Sequence, residues 1–326
     1  MKKVLFISTT FNSYYKEIID SFEQIGYEVD WYSDRPSNSI FTRAMIRLNP
    51  NFLKRKIKKY SNMILENTKN KIYDLVFVIL GQSFDESFWK KLKESNPKSK
   101  FVYYLWDSSI NFNCIEKNYK FFDIIYSFDK NDCAKFGFNF HPLFYTKQFY
   151  VPTVNIDNKF DFVYIGTVKP GRYKIVNDIL NKLESAGLKG YKFFYLHSKK
   201  VLTYYKFKYK HEFRKVKAND LYFNLLSKDE CFNIENKSRI IVDVPQPGQL
   251  GLTIRIFEAL GMQKKIITTN SDIKNYDFYN EDNIYILDNE NISFDSSFFT
   301  KGYSPIDEEI RKKYFVLNWL KYMIGE

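Results

Sequence analysis

Sulfur and imidazole are scarce in this 326-residue sequence. Its three cysteines, Cys114, Cys133 and Cys231, stand far apart with no CxxC spacing, and its three histidines, His141, His197 and His211, are equally dispersed. A disulfide framework and a zinc site of ordinary ligand spacing are therefore excluded, and a metal centre built on His or Cys lacks material. No run approaches the ~20 consecutive apolar residues of a membrane span. The GxGxxG fingerprint of dinucleotide sites is absent. No DxD pair follows a strand-like run, and there is neither an internal repeat nor a low-complexity tract. Acids are outnumbered, 38 against 50 Lys and Arg, which leaves a formal charge of +12. Such a surface favours polyanions: nucleic acid, anionic headgroups or phosphorylated small molecules.

What is abundant is apolar and aromatic. Hydrophobic residues make up 44% and aromatics 19%, with 32 Phe and 26 Tyr. Cores can be filled, and the length suits two domains better than one. The richness in Phe, Tyr, Lys, Asn and Ile is what an A/T-rich bacterial genome writes into any fold, so it carries no functional message. Met1-Lys2-Lys3 leads into Val4-Leu5-Phe6-Ile7, an apolar stretch shorter than a signal peptide's core, and reads as a first buried strand. The expectation is a cytoplasmic protein.

Strand-like runs stand at 3–8, 28–32, 74–80, 100–105 and 123–127, separated by helical patterns at 13–25, 41–68, 84–94 and 129–136. Strands that are continuously apolar, not alternating, and that take turns with helices indicate a parallel sheet covered on both faces. Prolines 142 and 152 break this rhythm, and a polar stretch follows to Asn158. The pattern then restarts: strand 160–165, turn 166–171, helix 172–186 ending at Gly187, and strands at 191–196, 239–244, 265–269 and 283–287. Pro305 opens a last helix with Asp307, Glu308 and Glu309 in its first turn. The division expected is an N-terminal Rossmann-like domain over 1–145, a linker over 146–158, a second Rossmann-like domain over 159–304, and a helix over 305–326 that can pack back on the first. Two such doubly wound domains facing one another leave a cleft at the C-terminal ends of their strands, where ligands of such folds bind.

The most informative stretch runs Val244-Pro245-Gln246-Pro247-Gly248-Gln249-Leu250-Gly251-Leu252-Thr253-Ile254-Arg255-Ile256-Phe257-Glu258-Ala259-Leu260-Gly261. A strand enters a Pro/Gly loop and then a helix near Thr253, whose first amides and dipole make an anion site that Gly251 lets a ligand approach. Ile254, Ile256, Phe257 and Leu260 cover most of the helix, leaving Arg255 and Glu258 on one polar stripe. Either this pair is an ordinary salt bridge, or it serves a diphosphate with an attached ribose, phosphate at Thr253 and Arg255 and ribose hydroxyls at Glu258.

Gly251-Leu252-Thr253-x-Arg255-x-Phe257-Glu258-Ala259-Leu260, followed by Lys264-Lys265-Ile266-Ile267-Thr268-Thr269-Asn270, resembles the C-terminal donor motif of GT-B glycosyltransferases, most of all the bacterial enzymes that build lipopolysaccharide and capsule. The resemblance is specific over 238–280, fainter over 100–145 and 160–185, and architectural elsewhere. It implies that Glu258 grips the donor ribose. Retaining members usually carry a second glutamate eight residues earlier, a place held here by Leu250. Val163-Tyr164-Ile165-Gly166-Thr167-Val168-Lys169-Pro170-Gly171-Arg172 resembles the cleft-facing turn of similar enzymes, which makes Lys169 and Arg172 candidates to neutralise the donor diphosphate and Gly166 part of that turn. Helix dipole and Arg/Lys would stabilise the leaving group with no bound metal.

Asp107, in Trp106-Asp107-Ser108-Ser109 after a strand, is the candidate base for an acceptor hydroxyl, the competing role being a helix cap. Asp129 reads as a cap and His141 as structure. His197, at a strand end, joins the donor-binding candidates. Gly81-Gln82 and Thr9-Thr10-Phe11 are weaker cleft candidates. Residues 41–60 carry Arg43, Arg47, Lys54, Arg55, Lys56, Lys58 and Lys59 without an acid, interleaved with Met45, Ile46, Leu48, Phe52, Leu53 and Ile57 and interrupted by Pro50. That suits an anionic membrane surface, a solvated face being the plainer alternative. Residues 199–217 mix Lys206, Lys208, Lys210, Arg214 and Lys215 with Tyr204, Tyr205, Phe207 and Tyr209, a pattern that also describes single-strand nucleic-acid surfaces, a solvated face again being the plainer alternative.

The expectation is a metal-independent, cofactor-free hexosyltransferase. It takes a nucleotide-sugar as substrate and a lipid-linked or oligosaccharide acceptor, and works as a peripheral protein at the inner face of the cytoplasmic membrane. A sugar-nucleotide epimerase or a non-catalytic binder on the same fold is the alternative. A basic nucleic-acid-binding protein is the more remote alternative, since no recognisable nucleic-acid motif is present and no nucleic-acid partner is expected.

Overall fold

The computed structural model describes residues 1–39, 42, 45–46, 49–109, 116–155, 157–288 and 292–326. They form two compact units, Met1–Leu143 with Val316–Glu326, and Phe144–Phe315. In the first, β1 (Lys2–Ser8), α1 (Tyr14–Gln24), β2 (Tyr27–Ser33), α2 (Lys54–Thr68), β3 (Leu75–Ile79), α3 (Glu86–Ser95), β4 (Lys100–Leu105), β5 (Ile124–Ser127), α4 (Lys130–Phe136) and β6 (Asn139–Phe140) follow in order. The six strands make one sheet, β2-β1-β3-β4-β5-β6. Every pairing is parallel, with Val4 opposite both Val29 and Leu75, and Phe77 opposite Val102. All five residues of β3 are buried, as both faces of a helix-covered sheet require.

The helices turn apolar stripes inward at helical spacing. Ile57, Ser61, Ile64 and Thr68 of α2 are buried, which sends Lys54, Arg55, Lys56, Lys58 and Lys59 outward. Pro50 opens a short 3₁₀ turn, Pro50–Leu53, capped by Asn49, and α2 starts only after it. Phe41, Arg43, Arg47 and Leu48 of the basic segment lie outside the described residues. Of the apolar residues in this segment, Ile46 and Ile57 are core residues, Met45 and Leu53 are half-buried and Phe52 is exposed, so part of the stripe is turned inward. Asp129 caps α4, accepting from the Asn131 amide at 2.9 Å.

The second unit contains β7 (Phe160–Thr167), α5 (Tyr173–Ser185), β8 (Gly190–Tyr195), α6 (Lys199–Lys208), α7 (Lys210–Phe213), α8 (Lys228–Glu235), β9 (Ser238–Asp243), α9 (Ile254–Gly261), β10 (Lys265–Thr268), β11 (Ile284–Ile286), α10 (Ser296–Thr300) and α11 (Glu308–Lys313). Its sheet runs β11-β10-β9-β7-β8, again parallel throughout. β7 continues to Thr167, so Gly166 belongs to the strand and not to the turn. The last acidic-led helix opens three residues after Pro305, because Asp307 is its cap and accepts from the Glu309 amide at 2.7 Å.

Residues 144–151 pack within this unit. Thr146 and Phe149 are buried, and the Val151 amide donates to the Gly261 carbonyl at 3.0 Å. The buried Arg311 guanidinium donates to the carbonyls of Val151 (2.9 Å) and Gly261 (3.1 Å). A Cβ on Gly261 would lie 2.7 Å from the Phe149 carbonyl oxygen, so only glycine fits there.

The chain returns to the first unit with α12 (Val316–Ile324). Trp319 is 1% exposed, donates its indole N–H to the Pro142 carbonyl at 2.9 Å, and meets Tyr104 edge-on at 5.0 Å. His141 stacks on Tyr322 at 4.6 Å, and its Nε2 lies 3.1 Å from the Trp319 carbonyl. Burial lowers the His141 pKa to about 4. An unfolded histidine takes its proton near pH ~6.5, so between pH 6.5 and 4 the unfolded chain binds more protons and stability falls with pH. All four tryptophans (31, 89, 106 and 319) lie in this unit, so their fluorescence reports its unfolding alone. In urea titrations, wild type is expected to lose up to ~3 kcal/mol more than His141→Gln between pH 7 and pH 4. Parallel losses in the two proteins would remove His141 as the source.

Candidate functional site

In the second unit the chain moves from β7 outward to β8, then crosses back to place β9 on the other side of β7. Helices leaving β7 and β9 therefore diverge, and a crevice opens at the C-terminal ends of these two strands. Such switch points are where open α/β sheets bind ligands. A cavity of about 240 Å³ lies there. Gly171 and Arg172 come from the turn after β7, Ile175 from the first turn of α5, Val244 to Gln249 from the loop after β9, and Thr269 to Ser271 from just past β10. Three stretches singled out in the sequence thus meet in one place. The volume is below the ~300–1,000 Å³ of a complete small-molecule pocket.

Glycine makes the walls possible. Gly171 and Gly248 have φ of +80° and +82°, values that side-chain-bearing residues rarely adopt. Gln249 then folds over the loop, its side-chain amide donating to the Gly251 carbonyl at 2.9 Å. Asn270 ties the loop to β10 by donating to the Leu250 carbonyl at 2.9 Å.

Beneath the cavity is a buried polar cluster. Asp243, the last residue of β9, is 7% exposed, and its Oδ1 accepts from the Thr253 hydroxyl at 2.9 Å. Its Oδ2 has no hydrogen-bond partner among the described residues. Burial raises the Asp243 pKa to about 6, against the opposing pull of Thr253 and Arg172. Arg172 lies between the two strand ends, donating to the carbonyls of Thr167 and Val244. The Tyr164 hydroxyl packs where a Cβ on Gly166 would stand, and burial raises its pKa. Nothing in the sequence reading pointed to Asp243. A carboxylate ending an apolar strand just before a Pro/Gly loop was the available signal.

Several candidates have other engagements. Thr253 occupies the N-cap of α9, yet its hydroxyl is given to Asp243 and makes no capping bond. Arg255 pairs with Glu235 of α8, whose side chain is fully buried. Glu258 is 3% exposed on α9, and Leu252 is 1% exposed. The start of α5 is held by a carboxylate from α7: Glu212 accepts from the amides of Gly171 at 2.8 Å and Lys174 at 3.0 Å. Lys169 is half-buried in the same turn, and His197 is exposed beyond β8, its ring 5.2 Å from Tyr195. Lys264 and Lys265 are structural: both are buried, with pKa lowered to about 8, and they donate to the carbonyls of Asn236 (2.7 Å) and Phe298 (2.6 Å).

Asp107 follows β4 in the first unit and is half-buried. Its loop is anchored two residues on, where the Ser109 amide and hydroxyl donate to Asp132 at 2.9 and 2.5 Å. Residues 110–115, where a helix capped by Asp107 or Ser108 would run, lie outside the described residues. Leu80 and Gly81 after β3 both have left-handed backbones, φ 68° and 54°. Among the described residues no three or more His, Cys, Asp or Glu side chains gather as a metal site would need.

No protein-family model and no curated protein sequence matches the chain. Solved structures do resemble it. HepE from Anabaena, solved with UDP-glucose, superposes with a TM-score of 0.61 at 11% identity, over 100% of this chain and 99% of that one. An alpha-glucosyltransferase solved with UDP and a mismatched 13-mer DNA gives 0.59 at 14%, over 96% and 90%. Sucrose-phosphate synthase from Thermosynechococcus elongatus gives 0.59 at 9%, over 89% and 87%. At such identities the likeness defines the fold: two Rossmann-like domains of the GT-B class.

Asp243 supplies a test of the buried cluster. Its folded pKa is raised, so the folded state keeps a proton that the unfolded chain releases near pH ~4, and stability contributed below that pH is lost as pH rises toward 6. Asp243→Asn keeps an acceptor for Thr253 and has no charge to bury. Followed by far-UV circular dichroism, its melting temperature relative to wild type is expected to rise between pH 4 and pH 7. A constant difference would show that Asp243 is ionised throughout.

Proposed function

We propose that this chain is a glycosyltransferase that moves a hexosyl group from a nucleotide-sugar to a glycan acceptor, lipid-linked, in surface-polysaccharide synthesis. One observation carries the reading: the cavity at the β7/β9 switch point, where the Gly171-Arg172 turn and the Pro/Gly loop leading to α9 converge. Similarity in fold to proteins solved with UDP and UDP-glucose supports a nucleotide-sugar as the donor. In the reaction the bond between the sugar's anomeric carbon and the diphosphate oxygen breaks, and a bond from that carbon to the acceptor oxygen forms. The departing diphosphate gains negative charge, which Arg172 and the N-terminal dipole of α9 would stabilise. Lys169 would add charge beside it, and Glu258 would accept from the ribose hydroxyls. Asp107 is the proposed base, taking the acceptor's proton.

For Arg172 to serve the diphosphate it must exchange a carbonyl partner for phosphate, and at α5 the Glu212 carboxylate must yield or leave the anion to α9. The first exchange replaces a neutral carbonyl by an anion, a stronger partner for a guanidinium.

Five exposed cations of α2, with Phe52 at 67% and Met63 at 41% exposure, support docking of the first unit on an anionic membrane. No helix among the described residues is long and apolar enough to cross a bilayer.

Calorimetry with UDP, GDP, CMP and dTDP is the direct test. One nucleotide is expected to bind, and Glu258→Ala to weaken it by ~1–3 kcal/mol. Arg172→Ala is expected to lower transfer from the matching nucleotide-sugar by ~100-fold or more, the scale of a lost transition-state donor. Undiminished affinity in Glu258→Ala, or undiminished turnover in Arg172→Ala, would place the donor elsewhere. Activity is expected to survive EDTA; loss reversed by manganese would overturn the metal-free reaction.

A further inference from the structure

The face of α6 that points away from the core of the second unit has an unusual composition. Leu202 is its one buried residue. Lys200, Thr203, Tyr204 and Phe207 recur at i, i+3, i+4 and i+7 and share the opposite, solvent side. Phe207 is 77% exposed and Tyr204 is 50% exposed. Cations surround them: residues 199–217 hold seven Lys and one Arg against a single acid, Glu212. That acid is already spent on the amides of Gly171 and Lys174. Among the described residues, none of these eight cations is in an ion pair.

We propose that α6, with its continuation through Lys217, is a second docking surface for an anionic lipid bilayer, separate from α2. Phe207 and Tyr204 would enter the boundary between headgroups and acyl chains, while the lysines stay at headgroup phosphates. An interfacial helix needs this division: apolar rings at the centre of one face and flexible ammonium groups at its margins.

A single-stranded nucleic acid is the competing anionic partner, and the ring geometry disfavours it. Base stacking needs open aromatic faces along a groove. Here the ammonium of Lys208 sits 5.7 Å from the Tyr204 ring centre, and that of Lys210 sits 5.9 Å from the Phe207 ring centre. The rings carry their own cations on a helix surface, an arrangement that suits headgroup depth.

The surface does not depend on the donor site, so the two fail separately. The whole protein would be sedimented with vesicles of phosphatidylcholine alone or with a phosphatidylserine fraction, and titrated with a labelled oligo-uridine. Binding is expected only with phosphatidylserine present, falling as salt rises. Phe207→Ser with Tyr204→Ser is expected to weaken it at least tenfold, and reversal of Lys200, Lys206 and Lys208 to Glu by ~100-fold, each lysine being worth about fivefold at such a surface. Both variants should retain wild-type nucleotide affinity. Unchanged vesicle binding in both variants overturns the proposal, even where reversal of Lys54, Arg55, Lys58 and Lys59 shows that α2 binds. Tighter binding to oligo-uridine than to vesicles, lost in the aromatic variant, overturns it in favour of nucleic acid.

Discussion

In a parallel sheet every strand-to-helix turn falls on the same edge, and the ligand-binding options of the second unit follow from that constraint. Because β8 and β9 lie on opposite sides of β7, the helices after β7 and β9 part company, and the edge opens there. Gly171 and Gly248 with their positive φ, the prolines of the 245–248 loop and Arg172 all stand at this gap. Moving β9 to the other edge would leave the same residues in the sequence and no cavity between them.

Several polar residues of the 244–270 stretch are spent on architecture. Lys264 and Lys265 end buried against backbone carbonyls, and Arg255 is drawn to a fully buried glutamate. Breaking one partner of such a pair leaves an uncompensated buried charge, which commonly costs ~3–5 kcal/mol. Thr253 is likewise tied to Asp243, which fixes the N-cap of α9 to the end of β9. A helix whose start is pinned to its own sheet presents its dipole in one fixed direction.

Positive charge is not spread evenly over the described surface. α2 and the 199–217 stretch concentrate lysines without matching acids, while elsewhere cations such as Lys71, Lys93 and Lys313 are paired with aspartates. Unpaired clusters repel themselves and lower stability slightly. Their retention beside exposed Phe52 and Phe207 is understandable where an anionic partner supplies the missing charge.

Strands were legible in the sequence because burial on both faces forces continuous apolar runs, and these ten were placed within two residues at each end: β1 to β5 and β7 to β11. The two-residue β6 and the short helices between 199 and 235 left no comparable period. The glycines and the Arg172 turn were legible too, since backbone conformation and charge are written locally. What the sequence could not decide was pairing. Arg255 and Glu258 share a helix stripe, yet Arg255 pairs with Glu235, twenty residues away, because the packing of α8 against the sheet brings that carboxylate beneath α9. Asp243 appeared as one more strand residue until the fold enclosed it with Thr253 and Arg172. Periodicity reports which face of an element is buried; only the tertiary structure determines which charges meet there, because desolvation and distance across chain-remote elements set their energies.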